Sequence, residues 1–215
     1  MNLAQNAQSL YTQRYVIDAC TTFIQFTDNQ SILDLVLNYA NSPSPTVSYS
    51  LPQFIISYLS KENNNFNDVW PIIQRSLKSP NKRVKYNMFN SLKEINNTKE
   101  IPNDTSLEIF NIAVEDTDEE VRIAAASQIS ILPINSEKSQ EIINSFIHDE
   151  HSAHVRTSVI TELSKLSEEN PEFVKKTISS LLKDQVREVR LGVIDSLHNL
   201  KLSDENLNEA YHNST

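Results

Sequence analysis

The sequence predicts an all-α protein, a solenoid of stacked antiparallel helix pairs. Three observations carry that expectation. A single glycine stands in 215 residues beside eight prolines, and a sheet-rich fold needs glycine for its tight hairpins and bulges. A Val-Lys or Val-Arg pair recurs at near-constant spacing. Behind each such valine, apolar residues follow with the period of one helical face.

The recurring pairs are Val84-Lys85, Val121-Arg122, Val155-Arg156 and Val189-Arg190, so the valines lie 37, 34 and 34 residues apart; Val47 lies 37 residues before Val84. Self-similarity at this period marks a solenoid or an array of supersecondary units. Apolar residues follow at +4, +5, +8 and +11: Met88, Phe89, Leu92 and Ile95, then Ala125, Ala126, Ile129 and Leu132, then Val159, Ile160, Leu163 and Leu166, then Val193, Ile194, Leu197 and Leu200. Tyr15 opens a degenerate first copy with Ala19, Cys20, Phe23 and Phe26. The copy at Val47 is the poorest, because Pro52 falls within its first two turns and kinks that helix or shifts its start.

A second set of apolar-periodic segments alternates with these, at residues 32–40, 69–77, 107–114, 142–147 and 173–182. Trp70 and Pro71 open one of them. Each precedes an anchor valine by a short turn, so the unit is a helix, a tight turn and a second helix. Neither helix buries its apolar stripe alone, and neighbouring units must stack. No loop is long enough to be a domain linker. The expected organisation is one array over residues 1–215, about five to six units with second helices starting near 15, 47, 84, 121, 155 and 189. Residues 204–211 read as the start of a further first helix without its partner, as in an excerpt of a longer array.

The turns repeat a charge pattern. Asp116 stands six residues before Arg122, Glu150 before Arg156 and Asp184 before Arg190; Ser79 holds the same place before Lys85. An acidic group there caps the exposed amides of the second helix, and an arginine one turn in reaches that acid or its neighbour. Stacked copies would form a structural ladder of acid and base.

Composition excludes several functions. The net charge of -9 weighs against nucleic acid, which needs a lysine and arginine surplus on some face. Cys20, the only cysteine, leaves no intramolecular disulfide or thiolate cluster and reads as a buried small hydrophobe. The N-terminus has no basic region followed by an apolar run, and no stretch approaches the roughly 18 apolar residues of a membrane span. The expected location is cytoplasmic, with the nucleus as a second site, and no membrane association is expected. One glycine rules out glycine-rich nucleotide loops and a Gly-x-Ser-x-Gly nucleophile elbow, so neither a cofactor nor catalysis is expected. His148, His151 and His154 are the one group with zinc-like composition. They straddle a predicted turn, so a single helical face does not hold all three, and no metal is assigned.

The acid-x5-basic element followed by Val-Arg resembles the HEAT repeat, and the HEAT/armadillo-like fold implies a right-handed superhelix. Tetratricopeptide and ankyrin patterns do not fit, since Gly192 alone cannot supply the former in every copy and Thr-Pro-Leu-His-x-Ala is absent. Asp116 to Ser127, Asp-Thr-Asp-Glu-Glu-Val-Arg-Ile-Ala-Ala-Ala-Ser, resembles a repeat of the scaffolding A subunits of protein phosphatase 2A, as do Glu141-Ile142-Ile143, Phe146, Asp149-Glu150 and Val155-Arg156. The similarity covers some 85 residues, and before about residue 80 only generic HEAT character remains.

That resemblance implies a non-catalytic scaffold holding phosphatase catalytic and regulatory subunits along its intra-repeat turns. Carried over, the binding residues are Asn81, Lys82 and Arg83; Thr117, Asp118, Glu119 and Glu120; His151, Ser152 and His154; and Gln185, Arg187 and Glu188. The family has about three times as many repeats and carries aromatic residues on several turns, where these are charged or small. A second expectation is a transport or chromosome-associated adaptor that grips a partner helix in its concave groove. A third, a hydrolase built on the three histidines, requires bound metal.

Overall fold

The computed structural model describes residues 9–26 and 30–197, and among them every regular element is helical. Contacts divide the chain into two compact units, Met1–Pro102 and Asn103–Thr215, where the sequence reading has one continuous array.

The first unit holds α1 (Leu10–Phe23), α2 (Gln30–Tyr39), α3 (Pro45–Ser48), α4 (Leu51–Leu59), α5 (Phe66–Leu77) and α6 (Lys82–Thr98). Two layers result: α1 packs on α3 and α4, which pack on α6, while α2 packs on α5. The expected stripe of α6, Val84, Met88, Phe89, Leu92 and Ile95, is wholly buried. Helix α5 opens at Phe66, a turn before the expected start at Trp70 and Pro71, because Asn65 and Asp68 form a capping box with Asn65 N donating to Asp68 Oδ2 at 3.1 Å. Pro52 acts as a divider. The helix carrying Val47 stops at Ser48, and α4 restarts at Leu51 with Pro52 in its first turn, where a missing N–H leaves no acceptor unpaired.

Helix α1 corrects one expectation. Tyr15, Phe23 and Phe26 are exposed, and the buried positions are Ile17, Cys20 and Ile24. Both sets recur with helical spacing, and α1 is apolar on two faces, so periodicity alone selected the outer stripe.

The second unit holds α7 (Asn103–Val114), α8 (Glu119–Ala126), a 3₁₀ turn (Ile129–Ile131), α9 (Glu137–Ile147), α10 (Ala153–Leu166), α11 (Pro171–Leu181) and α12 (Arg187–Ser196). First helices α7, α9 and α11 pack in one layer; second helices α8, α10 and α12 pack in the other. Val121 and Val155 are buried with the full apolar series behind each. After Val121 the α-helix ends at Ala126, yet the 3₁₀ turn keeps Ile129 and Leu132 inside. Burying one such large aliphatic side chain stabilises by about 1.5–3 kcal/mol, so each helix depends on the layer facing it.

The Val189 series departs from expectation at Ile194, which is 44% exposed on α12 beside exposed Leu191. No described element packs on that side of α12. Leu200 and the expected helix at 204–211 lie outside the described residues. Gly192, within α12, lets that helix lie close to α10: a Cβ there would meet Ile160 Cδ1 and Thr157 Cγ2 at 3.4 Å each.

Candidate partner-binding turns

Each turn of the second unit is organised by one aspartate. Asp116 Oδ1 accepts from Asp118 N at 3.0 Å; Asp149 Oδ1 accepts from His151 N at 2.9 Å and Ser152 N at 2.8 Å; Asp184 Oδ1 accepts from Val186 N at 2.8 Å. These side chains close the backbone into a tight turn each time, with one extra residue between Asp149 and its arginine.

The anchor arginines tie the turns together. Each donates through Nη1 to the carbonyl of its own turn's aspartate: Arg122 to Asp116 O at 2.9 Å, Arg156 to Asp149 O at 2.6 Å and Arg190 to Asp184 O at 2.6 Å. Two of them also reach forward to the next carboxylate. Arg122 Nε lies 2.6 Å from Asp149 Oδ2, and Arg156 Nε lies 2.6 Å from Asp184 Oδ2, each with a second bond from Nη2. All four side chains are at most 9% exposed, so these are desolvated, two-pronged ion pairs, a geometry that the guanidinium fork favours.

Glu150 is not a rung of this ladder. It is exposed, and Asp149 takes its place. Asp149 stands seven residues before Arg156, where Asp116 and Asp184 stand six before Arg122 and Arg190, so an offset of six from Arg156 lands one position late.

Burial pushes the Asp149 carboxyl up, but the hydrogen bond and charge of Arg122, with the amides of His151 and Ser152, outweigh it and hold the group below the usual aspartate range. Burial acts likewise on Asp184, where Arg156, the Val186 amide and the charge of Arg190 lower it. Both groups therefore stay ionised at neutral pH.

The expected binding residues divide by what they already hold. Ser152 is buried and cannot present itself to a partner: its Oγ caps α10 by accepting from Val155 N at 3.1 Å and donates to Glu119 Oε1 at 2.5 Å. Asp118 caps α8 by accepting from Glu120 N and Val121 N, and Asn81 caps α6 by accepting from Arg83 N at 3.0 Å. Glu120 is half-buried. Exposed are Lys82, Arg83, Thr117, Glu119, His151, His154, Gln185, Arg187 and Glu188. In the first unit the turn before α6 is a neutral version, with Ser79 Oγ accepting from Asn81 N at 3.2 Å.

The histidines do not converge. His148 caps the end of α9, with Nδ1 2.8 Å from Asn144 O and Nε2 3.5 Å from Ser180 Oγ. Among the described residues no group of three or more His, Cys, Asp or Glu side chains is placed to hold a metal ion. None of the described helices is long and apolar enough to cross a membrane.

A groove in the first unit escaped the sequence reading. Tyr49, Gln53, Asn87, Asn90 and Glu94 line it, with Arg14 and Asp18 at its side. The Arg14 guanidinium lies over the Tyr49 ring, 5.2 Å from its centroid. The available signal was the polar series Asn87, Asn90 and Glu94, which shares one face of α6 opposite its buried stripe.

Comparison with known proteins agrees with this architecture. Residues 106–198 match the family model described as HEAT repeats. A crystal structure of an engineered protein is similar over 93% of this chain and 97% of its own, at 11% identity and a TM-score of 0.48, a level that adds nothing further. No curated protein matches the sequence.

Proposed function

We propose that this chain, with HEAT repeats through residues 106–198, is a non-catalytic protein-binding scaffold whose intra-repeat turns contact the partner. The observation that carries the reading is the Arg122–Asp149 and Arg156–Asp184 linkage. It fixes successive turn backbones while Thr117, His151, His154, Gln185, Arg187 and Glu188 project from them. A surface held in place before binding loses less conformational entropy on association.

The partners in this reading are phosphatase catalytic and regulatory subunits, supported by the similarity of residues 116–127 and 141–156 to the scaffolding A subunits of protein phosphatase 2A. The scaffold works in the cytoplasm, with the nucleus as a second site. Affinity capture with mass spectrometry tests it. Phosphatase subunits should be recovered by the wild-type chain and lost with Arg83→Glu and Arg187→Glu together. Reproducible recovery of transport or chromosome-associated factors without any phosphatase sinks it.

The groove between α1, α4 and α6 favours a second reading, an adaptor that grips a partner helix. Its volume is about 450 Å³, and Gln53, Asn87 and Asn90 supply both donors and acceptors along it. Asn87→Ala with Asn90→Ala would then abolish capture while the turn reversals leave it intact.

A further inference from the structure

Helix α1 presents an apolar ridge to solvent. Tyr11, Tyr15, Ala19 and Phe23 follow one another at four-residue steps and are all exposed, so they form one i±4n ridge of the kind that interdigitates between packed helices. Phe26, just beyond the helix end, extends the row at 81% exposure. The two charged residues of α1, Arg14 and Asp18, pair with each other at 3.8 Å. Around the helix Asp18 lies about 20° from Tyr11 and about 60° from Tyr15, and Arg14 about 60° from Tyr11, so this pair borders the ridge along one side.

We propose that this ridge is the interface of a homodimer in which α1 crosses its copy, antiparallel, at Ala19. Two features of the ridge select a second copy as the occupant. The first is area. Four aromatic side chains at 62–81% exposure offer roughly 400–700 Å². That reaches the upper end of what an ordinary monomer leaves open and approaches the ~800 Å² that each partner gives to a standard interface.

The second is register. A two-fold axis through Ala19 sets Tyr15 of one copy against Phe23 of the other, and the reverse, with a small side chain where the backbones come nearest. An isologous contact needs one self-complementary patch, and this ridge is one.

Sedimentation of the full chain over a concentration series tests the proposal. A monomer–dimer equilibrium is expected, and Tyr15→Glu or Ala19→Arg, both at exposed positions, should weaken it by roughly tenfold or more. Leu191→Glu, exposed on α12, should leave it unchanged. A second measurement does not depend on disrupting the interface. Ala19→Cys should form an intermolecular disulfide with oxidised glutathione, whereas Tyr11→Cys, two helical turns from the crossing, should not. A monomer at the highest concentration reached, growth into open-ended oligomers, a dimer indifferent to both ridge variants, or cross-linking at position 11 in preference to 19 would each overturn it.

Discussion

Arg156 grips two turns at once: its Nε and Nη2 meet the Asp184 carboxylate at 2.6 and 3.0 Å, and its Nη1 meets the Asp149 carbonyl at 2.6 Å. Water reaches neither ionised side chain appreciably. Removing one partner therefore strands the other in a poorly solvated place, and the loss exceeds the net worth of the pair. Arg156→Ala is expected to destabilise the protein by about 3–5 kcal/mol, read from urea unfolding. Replacing both partners, Arg156→Met with Asp184→Leu, should cost less than the single change. A double variant as unstable as Arg156→Ala would show that the stranded charge is not the cause.

The identity of the middle rung is equally testable. Asp149→Asn removes a carboxylate that meets Arg122 and two backbone amides, and a loss of about 2–3 kcal/mol is expected. Glu150→Gln, one residue along and exposed, should stay within about 0.5 kcal/mol. Thermal melts of the pair check this. Equal effects would return Glu150 to the ladder.

Acid should loosen the turns in a defined window. The Asp149 and Asp184 carboxyls sit below the usual aspartate range when folded, so the folded state binds their protons less readily than the unfolded chain. Their stabilisation is complete above the unfolded pKa of about 3.9 and is lost as pH falls through the lower folded values. Stability should therefore drop below about pH 4. Asp149→Asn with Asp184→Asn, already less stable at neutral pH, should show a shallower drop. Urea midpoints from pH 5 to 2.5 would reveal it, and parallel curves for the two proteins would contradict it.

Gly192 offers a change in the other direction. It sits within α12 with no positive φ among the described residues, where alanine is favoured by about 1 kcal/mol. An added Cβ would meet side-chain methyls at 3.4 Å, at the near edge of ordinary contact. Gly192→Ala is expected to raise stability by roughly 0.5–1 kcal/mol, measured by calorimetry. A lowered melting temperature would mean that Ile160 and Thr157 cannot give way.

Much of the fold was legible in the sequence because an anchor valine and its apolar followers encode burial directly. Val84, Val121 and Val155 with their series are all inside. The ladder was only half legible. Residue types named acid and base, but a fixed offset cannot register the extra residue between Asp149 and Arg156, nor tell an arginine's own turn from the next. Ser152 was misread for a related reason: a hydroxyl in a turn looks available until the helix it caps is placed. On α1, two apolar stripes obey the same period, and only the packing of α3 and α4 distinguishes the inner from the outer. The amide groove was legible only along one wall, where Asn87, Asn90 and Glu94 share a face of α6, because its other walls come from helices far apart in the chain.

The arginines bridge the three intra-repeat turns of the second unit and leave none of them independent of its neighbour. Opening one end of such a linkage removes half of the next turn's support, so Thr117, His151 and Gln185 should gain amide exchange together and not in sequence. Free energy delivered to one tip is then shared along the row, and a partner engaging the turn at His151 would find the turns on either side already stiffened to receive it.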